Sequence, residues 1–261
     1  MAKYLTILLL CMQLLHSEGL GVNEKLGDMV PLDLIFINEQ SERVTLKELM
    51  DGKPTLLTLN YFKCAGICSP QLNDMAIMLS RLHLAENTDY KVITVDFAED
   101  ETPELAVAKK KNLIHSMNRT FVQDAWHFVI GENNSSGRLA DSVGFKFEKT
   151  VGKDGRVDYI HGAALIVLSP TGKITRYMSG IEQLSTDVKM ALNEAKKEIV
   201  CPTISKNSPY CFSEKQEGFI MVKMGSKVWA VLMLSVVIGL LVYLIRGGKS
   251  NRNRDEKDKE I

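Results

Sequence analysis

Two cysteines and one histidine are the residues of this sequence whose types and spacing point to chemistry. Cys64 and Cys68 are separated by three residues and follow the apolar run Thr55–Phe62. Thiolates attack disulfides and bind soft metal ions. The three-residue spacing, instead of two, favours metal binding over ordinary disulfide exchange. His161 lies just before another apolar run, Ala163–Leu168, and could add one nitrogen ligand to the two sulfurs.

A site of two thiolates and one imidazole suits copper. Thiolates select copper(I), and the added imidazole allows copper(II) to be held as well. A structural zinc site usually has a fourth protein ligand, and the sequence offers no candidate for it. Two alternatives stay open from the residues alone. His161 could simply pack or face solvent at a strand start, and Cys64 and Cys68 could form a redox-active disulfide.

The residues around the cysteines predict a tight turn that leads directly into a helix. Ser69 is a favoured helix-capping residue, and Pro70 is favoured at the first helical position. Both cysteines should therefore lie in the loop and at the cap, where Ala65 and Gly66 allow a close turn. The helix N-terminus and the neighbouring Lys63 favour the thiolate form.

Apolar segments of strand length and of helix length follow one another along the body of the chain, residues 20–200. Apolar strands separated by helices predict a mixed sheet covered on both faces. A strand, paired cysteines and a helix start, with a closing hairpin and helix, indicate an α/β thioredoxin-like fold in one domain. We expect strands at Leu32–Ile37, Thr55–Phe62, Tyr90–Phe97, Trp126–Ile130, Ala163–Leu168 and Lys173–Met178, and helices at Val44–Met50, after Pro70, from Pro103, at Gly137–Val143 and at Leu184–Ile199.

The two ends of the chain contain signals for export and for membrane attachment. Residues 1–19 combine a basic start, a short apolar core and a small-residue exit, which is typical of a signal peptide. Residues 228–245 are almost wholly apolar and predict a C-terminal transmembrane helix. Basic residues follow directly in the tail 246–261, which predicts a cytoplasmic C-terminus. We therefore expect a single-pass protein of the inner (cytoplasmic) membrane with its globular domain in the periplasm or outside.

A second pair of cysteines, Cys201 and Cys211, lies in the predicted linker 201–227. Export would place this pair in a compartment where disulfides persist. We predict a structural Cys201–Cys211 disulfide that closes a small loop. A second metal or redox pair is the alternative.

The overall charge balance argues against a nucleic-acid-binding function. The chain has 32 basic and 32 acidic residues and no basic block in its body, so nothing indicates a nucleic-acid partner.

The acidic run Glu99–Glu101 precedes Pro103. Because acidic residues interact favourably with a helix N-terminus, we expect this run to be a solvated helix start.

Three segments of the body carry a family resemblance. They are Leu-Asn-Tyr-Phe-Lys-Cys-Ala-Gly-Ile-Cys-Ser-Pro at 59–70, Val-Asp-Phe-Ala-Glu-Asp-Glu-Thr-Pro-Glu-Leu at 95–105, and Asp-Tyr-Ile-His-Gly-Ala-Ala-Leu-Ile-Val-Leu-Ser-Pro-Thr-Gly at 158–172. The chain resembles the Sco/SenC family of copper-binding proteins that assist the assembly of respiratory (cytochrome) oxidases. The resemblance covers residues 30–197. It implies a thioredoxin-like fold and a copper site formed by Cys64, Cys68 and His161.

The chain departs from the family pattern at three places. Ser69 separates Cys68 from Pro70, whereas the family commonly has proline directly after the second cysteine. Ile160 stands where an aspartate usually precedes the histidine, and Asp158 lies two residues earlier. The predicted anchor is C-terminal, whereas familiar members are held by an N-terminal one.

These observations together predict a membrane-tethered copper chaperone. It would receive copper from a donor on the outer membrane face and pass it to the copper-site subunit of a respiratory oxidase. The lipid bilayer would keep carrier and client close, and a dithiol reductant would keep both thiols reduced. The alternative is an enzyme, a membrane-tethered thiol-disulfide reductase, which would need Cys64 and Cys68 but not His161.

Overall fold

The fold of the protein is described by a computed structural model. All described residues belong to the first of two units into which the chain divides, Met1–Pro209. The described residues are 21–64, 66–98, 101–117, 119–151, 155 and 157–203.

Several features predicted from the sequence lie outside the described residues. They are the signal peptide 1–19, Cys211 of the linker, the membrane helix 228–245 and the tail 246–261. None of the helices among the described residues has both the length and the apolar composition to cross a bilayer. The predicted export, membrane attachment and Cys201–Cys211 disulfide therefore stay predictions.

The described residues form two β-sheets. The strands are β1 (Gly21–Val22), β2 (Ile35–Ile37), β3 (Arg43–Thr45), β4 (Thr55–Asn60), β5 (Lys91–Asp96), β6 (Trp126–Gly131), β7 (Phe145–Val151), β8 (Val157–His161), β9 (Ala164–Leu168) and β10 (Ile174–Ser179). The larger sheet has seven strands in the order β10-β9-β4-β5-β6-β2-β3, and the smaller has the order β1-β7-β8.

The centre of the larger sheet consists of the parallel strands β4, β5 and β6, and the antiparallel strands β9 and β2 flank them. Every residue of β4 and β5 is buried. Successive side chains of a strand point to opposite faces of the sheet. Leu57 and Ile93 accordingly belong to one core cluster, and Leu56 and Val92 belong to the other.

Helices cover both faces of the larger sheet, as a mixed sheet of fully apolar strands requires. Residues of α2, α3 and α5 pack into one core cluster, while residues of α1 and α4 pack into the other together with the smaller sheet. The predicted α/β fold with a mixed sheet flanked by helices is confirmed. The helices are α1 (Leu46–Met50), α2 (Cys68–Ser80), α3 (Pro103–Ser116), α4 (Ser135–Ser142) and α5 (Ser185–Ala195).

The antiparallel hairpin of β7 and β8 was not predicted from the sequence. Much of this hairpin is exposed or half-buried, so its strands lack the apolar runs that mark β4 and β5. His161 is the last residue of β8 and pairs with Phe147 of β7. The histidine therefore ends a strand of the smaller sheet, and the apolar strand β9 begins only at Ala164.

A chain of buried hydrogen bonds joins two strands of the larger sheet to the helix that begins at Cys68. The Asn60 amide donates to Gln71 Oε1 at 3.0 Å, and Gln71 Nε2 donates to the Ala164 carbonyl at 3.1 Å. Asn60 ends β4, Gln71 lies in α2 and Ala164 begins β9. The chain therefore fixes the strand before Cys64 against the helix that begins at Cys68.

Replacing Gln71 with alanine should lower the free energy of unfolding by about 1–3 kcal/mol, because the Asn60 amide would stay buried without its acceptor. Denaturant unfolding followed by circular dichroism measures the change. The control is Gln40→Ala, at an exposed position, which should change stability by less than about 0.5 kcal/mol. Equal effects of the two substitutions would contradict the role of the buried chain.

Candidate metal centre

The two cysteines lie in the loop that follows β4 and at the start of α2. Cys64 is in the connecting loop, where its backbone N–H donates to the Tyr61 carbonyl at 3.2 Å. Cys68 is the first residue of α2 and is fully buried. The helix begins without a side-chain cap, so the prediction that Ser69 caps it is wrong. Ser69 Oγ instead donates to the Cys64 carbonyl at 3.2 Å, which holds the loop against the first turn of the helix.

The imidazole of His161 faces the cysteines through its Nε2 atom. Its Nδ1 lies 2.8 Å from the Gly162 carbonyl, and its Nε2 lies 3.2 Å from Cys68 Sγ. Because a carbonyl oxygen can only accept a hydrogen bond, Nδ1 carries the ring proton. In the neutral imidazole Nε2 is then the nitrogen with the lone pair, and it is directed at the sulfur, which is the arrangement that a metal ligand needs.

The structure brings the three predicted ligands together. The thiol sulfurs of Cys64 and Cys68 and a ring nitrogen of His161 all lie within 4.8 Å of one another. No other group of three or more histidine, cysteine or acidic side chains among the described residues is arranged to hold a metal ion. Two soft sulfurs and one oriented imidazole fit copper in either oxidation state.

Aromatic rings surround the histidine. The centroid of the imidazole lies 5.1 Å from that of Phe97, 5.8 Å from that of Phe145 and 6.0 Å from that of Tyr61. Phe97 and Tyr61 meet the imidazole edge to face. These rings fix the plane of the ligand and exclude water from its sides, so the charges of a bound ion would be screened weakly.

The two thiols titrate as an unequal pair. The hydrogen bond from Cys68 is the main cause that lowers the pKa of the Cys64 thiol. Burial opposes it, and hydrogen bonds with His161, the Cys68 backbone and the Tyr61 hydroxyl lower the pKa further. The hydrogen bond with Cys64, together with burial, raises the pKa of the Cys68 thiol. The backbone N–H of Gly66 also donates to Cys64 Sγ at 3.2 Å. Cys64 is therefore the thiolate of the pair at neutral pH, and Cys68 keeps its proton.

Glu101 belongs to the site, although its sequence context predicted a solvated position. The carboxylate is buried and accepts hydrogen bonds from the backbone N–H groups of Phe62 and Lys63, at 2.7 Å for Lys63. The prediction of a solvated helix start is therefore wrong for Glu101, because its charge is used to hold the peptide just before Cys64. The position of Glu101 directly before a helix with Pro103 at its start gave no signal of this distant backbone contact.

Lys109 holds the same loop from the side of α3. Its Nζ donates to Ser69 Oγ at 3.0 Å and lies 3.4 Å from the Phe62 carbonyl. Ser69 in turn contacts the Cys64 carbonyl. The loop that contains Cys64 is therefore fixed through its own backbone groups, which leaves the sulfur available to a metal.

Comparison with known proteins identifies the family. The family model described as SCO1/SenC matches residues 31–195, which is more than half of the chain and includes all three candidate ligands. The chain belongs to the SCO1/SenC family. The resemblance noted in the three sequence segments is thereby confirmed.

Individual SCO1/SenC relatives and solved structures agree with this assignment. A SCO1 protein homolog of Bacillus subtilis (strain 168) is 27% identical over 165 residues, which cover 60% of this chain and 79% of the relative. A putative electron transfer protein of Aquifex aeolicus VF5 is 26% identical, with a TM-score of 0.58 over 66% of this chain and 95% of that chain. ScoI of Arabidopsis thaliana, solved with copper bound, is 19% identical, with a TM-score of 0.51 over 63% of this chain and 96% of that chain. The thioredoxin-like fold predicted for the body is confirmed.

In this SCO1/SenC protein, replacing Glu101 with glutamine should loosen the loop segment directly before Cys64. An amide has one acceptor oxygen where the carboxylate has two, so one of the two N–H groups loses its partner, at a cost of about 1–3 kcal/mol. Hydrogen exchange at Lys63 should become faster, and the free energy of unfolding should fall. The matched control is Glu104→Gln, at an exposed position of α3. Unchanged exchange at Lys63 in the Glu101 variant would rule out this role.

Because the pKa values of Cys64 and Cys68 differ, we expect the alkylation rates of the two thiols to depend on pH in different ways. Because the pKa of Cys64 is lowered, its thiolate persists below the ordinary thiol pKa of about 8.5, and its rate of reaction with iodoacetamide should change little between pH 6 and pH 8. Cys68, whose pKa is raised, should stay unlabelled over this range. Peptide mass spectrometry of the reduced protein distinguishes the two sites.

The control for this profile is Cys68→Ala. Loss of the hydrogen bond from Cys68 should raise the pKa of Cys64 and slow its labelling at pH 6 by roughly tenfold or more. Labelling of both cysteines in parallel, rising only above pH 8, would contradict the unequal titration.

Proposed function

We propose that the protein is a membrane-tethered copper chaperone that binds copper through Cys64, Cys68 and His161. It assists the assembly of a copper centre in a respiratory oxidase. The observation that carries this proposal is the convergence of two sulfurs and a ring nitrogen of His161 within 4.8 Å of one another. Copper would be the cargo of this protein. The contacts described above would orient its three ligands.

The chemistry of the donor set supports a carrier of both copper oxidation states. Cys64 offers a thiolate without a large cost of deprotonation, because its pKa is already lowered. Binding at Cys68 requires loss of the proton that is retained in the metal-free pair. The imidazole of His161 is already held in the tautomer that can bind a metal, by the Gly162 carbonyl.

The exposure of the cysteine loop supports transfer to a protein client. Lys63, Gly66 and Ile67 are exposed, whereas both sulfurs are buried immediately beneath them. An incoming thiolate could approach from the loop side and replace one ligand at a time. Transfer by ligand exchange between soft sulfur donors needs no release of a free ion.

Family membership supports the oxidase as client. Members of the Sco family are cytochrome c oxidase assembly proteins. The Arabidopsis thaliana neighbour was solved with copper bound. By this analogy, the partners of the present protein are the copper-site subunit of a respiratory oxidase, a copper donor and a dithiol reductant. The reductant would return a Cys64–Cys68 disulfide to two thiols, with two electrons and two protons.

The predicted membrane topology supports a location of the globular domain at the outer face of the inner membrane. A signal peptide at 1–19 and a membrane helix at 228–245 would put the body on the outer face of the inner membrane, with a cytoplasmic C-terminus. Attachment to the same bilayer as the client raises the effective concentration of the carrier near it.

A thiol-disulfide reductase is the second candidate function. The observation that favours it is the lowered pKa of Cys64, because a thiolate is the species that attacks a disulfide. In this role the Cys64 thiolate attacks the client disulfide, which releases one client thiol and forms a mixed disulfide. Cys68 then loses its proton and attacks Cys64 Sγ, which releases the second client thiol and leaves a Cys64–Cys68 disulfide for the dithiol reductant. The role of His161 separates the two candidates, since a metal carrier needs the imidazole and a reductase does not.

The deciding experiment measures copper binding by the reduced full-length protein in detergent. Copper(I) is titrated against a competing chelator, and the copper(II) absorption spectrum is recorded. We expect one tightly bound copper and a sulfur-to-copper charge-transfer band. The band should vanish in Cys64→Ser/Cys68→Ser. His161→Ala should alter the band and weaken copper(II) binding by at least the roughly 10–100-fold that loss of an outer-shell partner alone costs.

The matched control for the histidine is His115→Ala, which removes an exposed imidazole from α3 and should leave the titration unchanged. Absence of tight copper binding in the wild type would refute the chaperone. If the protein then reduces disulfides rapidly with a dithiol, at a rate indifferent to His161, the reductase is the function.

A further inference from the structure

The two cysteines of the candidate metal centre are positioned by different helices. Cys68 is the first residue of α2 and is fully buried, so the packing of that helix fixes it. Cys64 lies in the loop before α2, and this loop is held from the side of α3. The carboxylate of Glu101, two residues before α3, accepts the backbone N–H groups of Phe62 and Lys63. The separation of the two sulfurs therefore depends on contacts between α2, α3 and the loop.

Lys109 of α3 joins the loop of the first cysteine to the helix of the second. Its Nζ donates to Ser69 Oγ at 3.0 Å and lies 3.4 Å from the Phe62 carbonyl. Ser69 is in the first turn of α2, and its hydroxyl donates to the Cys64 carbonyl at 3.2 Å. The serine oxygen thus accepts from the lysine while its single proton is given to the loop. Together these three contacts form the Lys109–Ser69 bridge.

The bridge holds the loop in a position where the two sulfurs are not bonded to each other. Cys64 and Cys68 are free thiols, and their sulfurs lie within 4.8 Å. A disulfide forms only when the sulfurs approach to about 2 Å. Because Cys68 is fixed in α2, this approach requires movement of Cys64 and of the loop that carries it. The contacts that oppose such movement favour the open dithiol, whose separated sulfurs can receive a metal ion between them.

We propose that Lys109 and Ser69 are positioning residues that keep the sulfurs of Cys64 and Cys68 apart, and so favour the metal-binding dithiol over the disulfide. This inference deepens the proposed function, on which its relevance to copper rests. It also gives Ser69 a task of its own in this chain. A proline directly after the second cysteine would have no hydroxyl for these contacts.

The first test is free of metal. The full-length protein in detergent is equilibrated with reduced and oxidised glutathione at pH 7, and peptide mass spectrometry measures the fraction of Cys64–Cys68 disulfide. Forming this bond transfers two electrons and two protons from the thiols to oxidised glutathione, which becomes two reduced molecules. Lys109→Met keeps a long unbranched side chain and removes the ammonium donor. It should shift the equilibrium about tenfold towards the disulfide, the equivalent of one hydrogen bond to a charged group.

Variants of the serine test whether the lysine acts through it. Ser69→Ala should shift the equilibrium in the same direction, whereas Ser69→Thr, which keeps the hydroxyl, should stay close to the wild type. In the Ser69→Ala background, Lys109→Met should have a smaller effect than in the wild type. Fully additive effects, or a Ser69→Thr variant that behaves as Ser69→Ala does, would overturn the proposal.

The matched control for the lysine is Lys111→Met, at an exposed position of the same helix, which should leave the equilibrium unchanged. Denaturant unfolding of the reduced variants distinguishes positioning from general stability. If Lys109→Met lowers the free energy of unfolding but does not shift the glutathione equilibrium, Lys109 is structural and the proposal fails. An equal shift in Lys111→Met, or a shift towards the dithiol in Lys109→Met, would also overturn it.

Copper(I) titration against a competing chelator separates failure of this inference from failure of the proposed function. Lys109→Met should weaken copper(I) binding by about tenfold, the lower end of the range for partners that orient a ligand. If the wild type binds no copper, the proposed function fails, and the glutathione equilibrium alone decides whether the bridge keeps the sulfurs apart. If copper binds but the equilibrium does not respond to Lys109→Met, only the inference is refuted. A redox shift with unchanged copper(I) affinity would overturn its link to metal binding.

Discussion

The candidate metal centre depends on the contact between the two sheets. The sulfurs follow a central strand of the larger sheet, whereas His161 ends a hairpin of the smaller one, which would be marginally stable alone. Phe97, just after β5, stacks on Phe147 of the hairpin at 4.5 Å and meets the imidazole edge to face. This aromatic contact sets the distance between nitrogen and sulfur. Substitutions that loosen it would separate the ligands even with all three present.

The sequence allowed the sulfur half of the centre to be predicted because that half is local. The run Thr55–Phe62 and the residues after Cys68 show the periodicities of a buried strand and a helix, and both elements are present. His161 was found as a candidate from its type and its place before an apolar run. Its hairpin was missed, since β7 and β8 are largely exposed and show no apolar run. Ser69 was assigned to the helix cap because propensity cannot reveal that its hydroxyl binds the Cys64 carbonyl instead.

The supporting acids show why the remainder of the site could not be predicted. Glu101 and Asp158 are both carboxylates in segments that look polar and solvated in the sequence. Their partners are the peptide before Cys64 and the hydroxyl of Tyr61, at large separations along the chain. A buried acid is distinguished from a solvated one by those partners alone, since unpaired burial of its charge would be costly. Such pairing is set by topology and not by local pattern.

The division of the candidate ligands between two sheets has a consequence for how the metal-bound protein would differ from the metal-free protein. An ion held by Cys64, Cys68 and His161 is a crosslink between the sheets, and its binding free energy adds to their cohesion. The outer surface of the hairpin, where Val157 and Ile160 are exposed, would then be stiffer with cargo than without it. A partner that touches this surface could distinguish the metal-bound protein from the metal-free protein without contacting the metal.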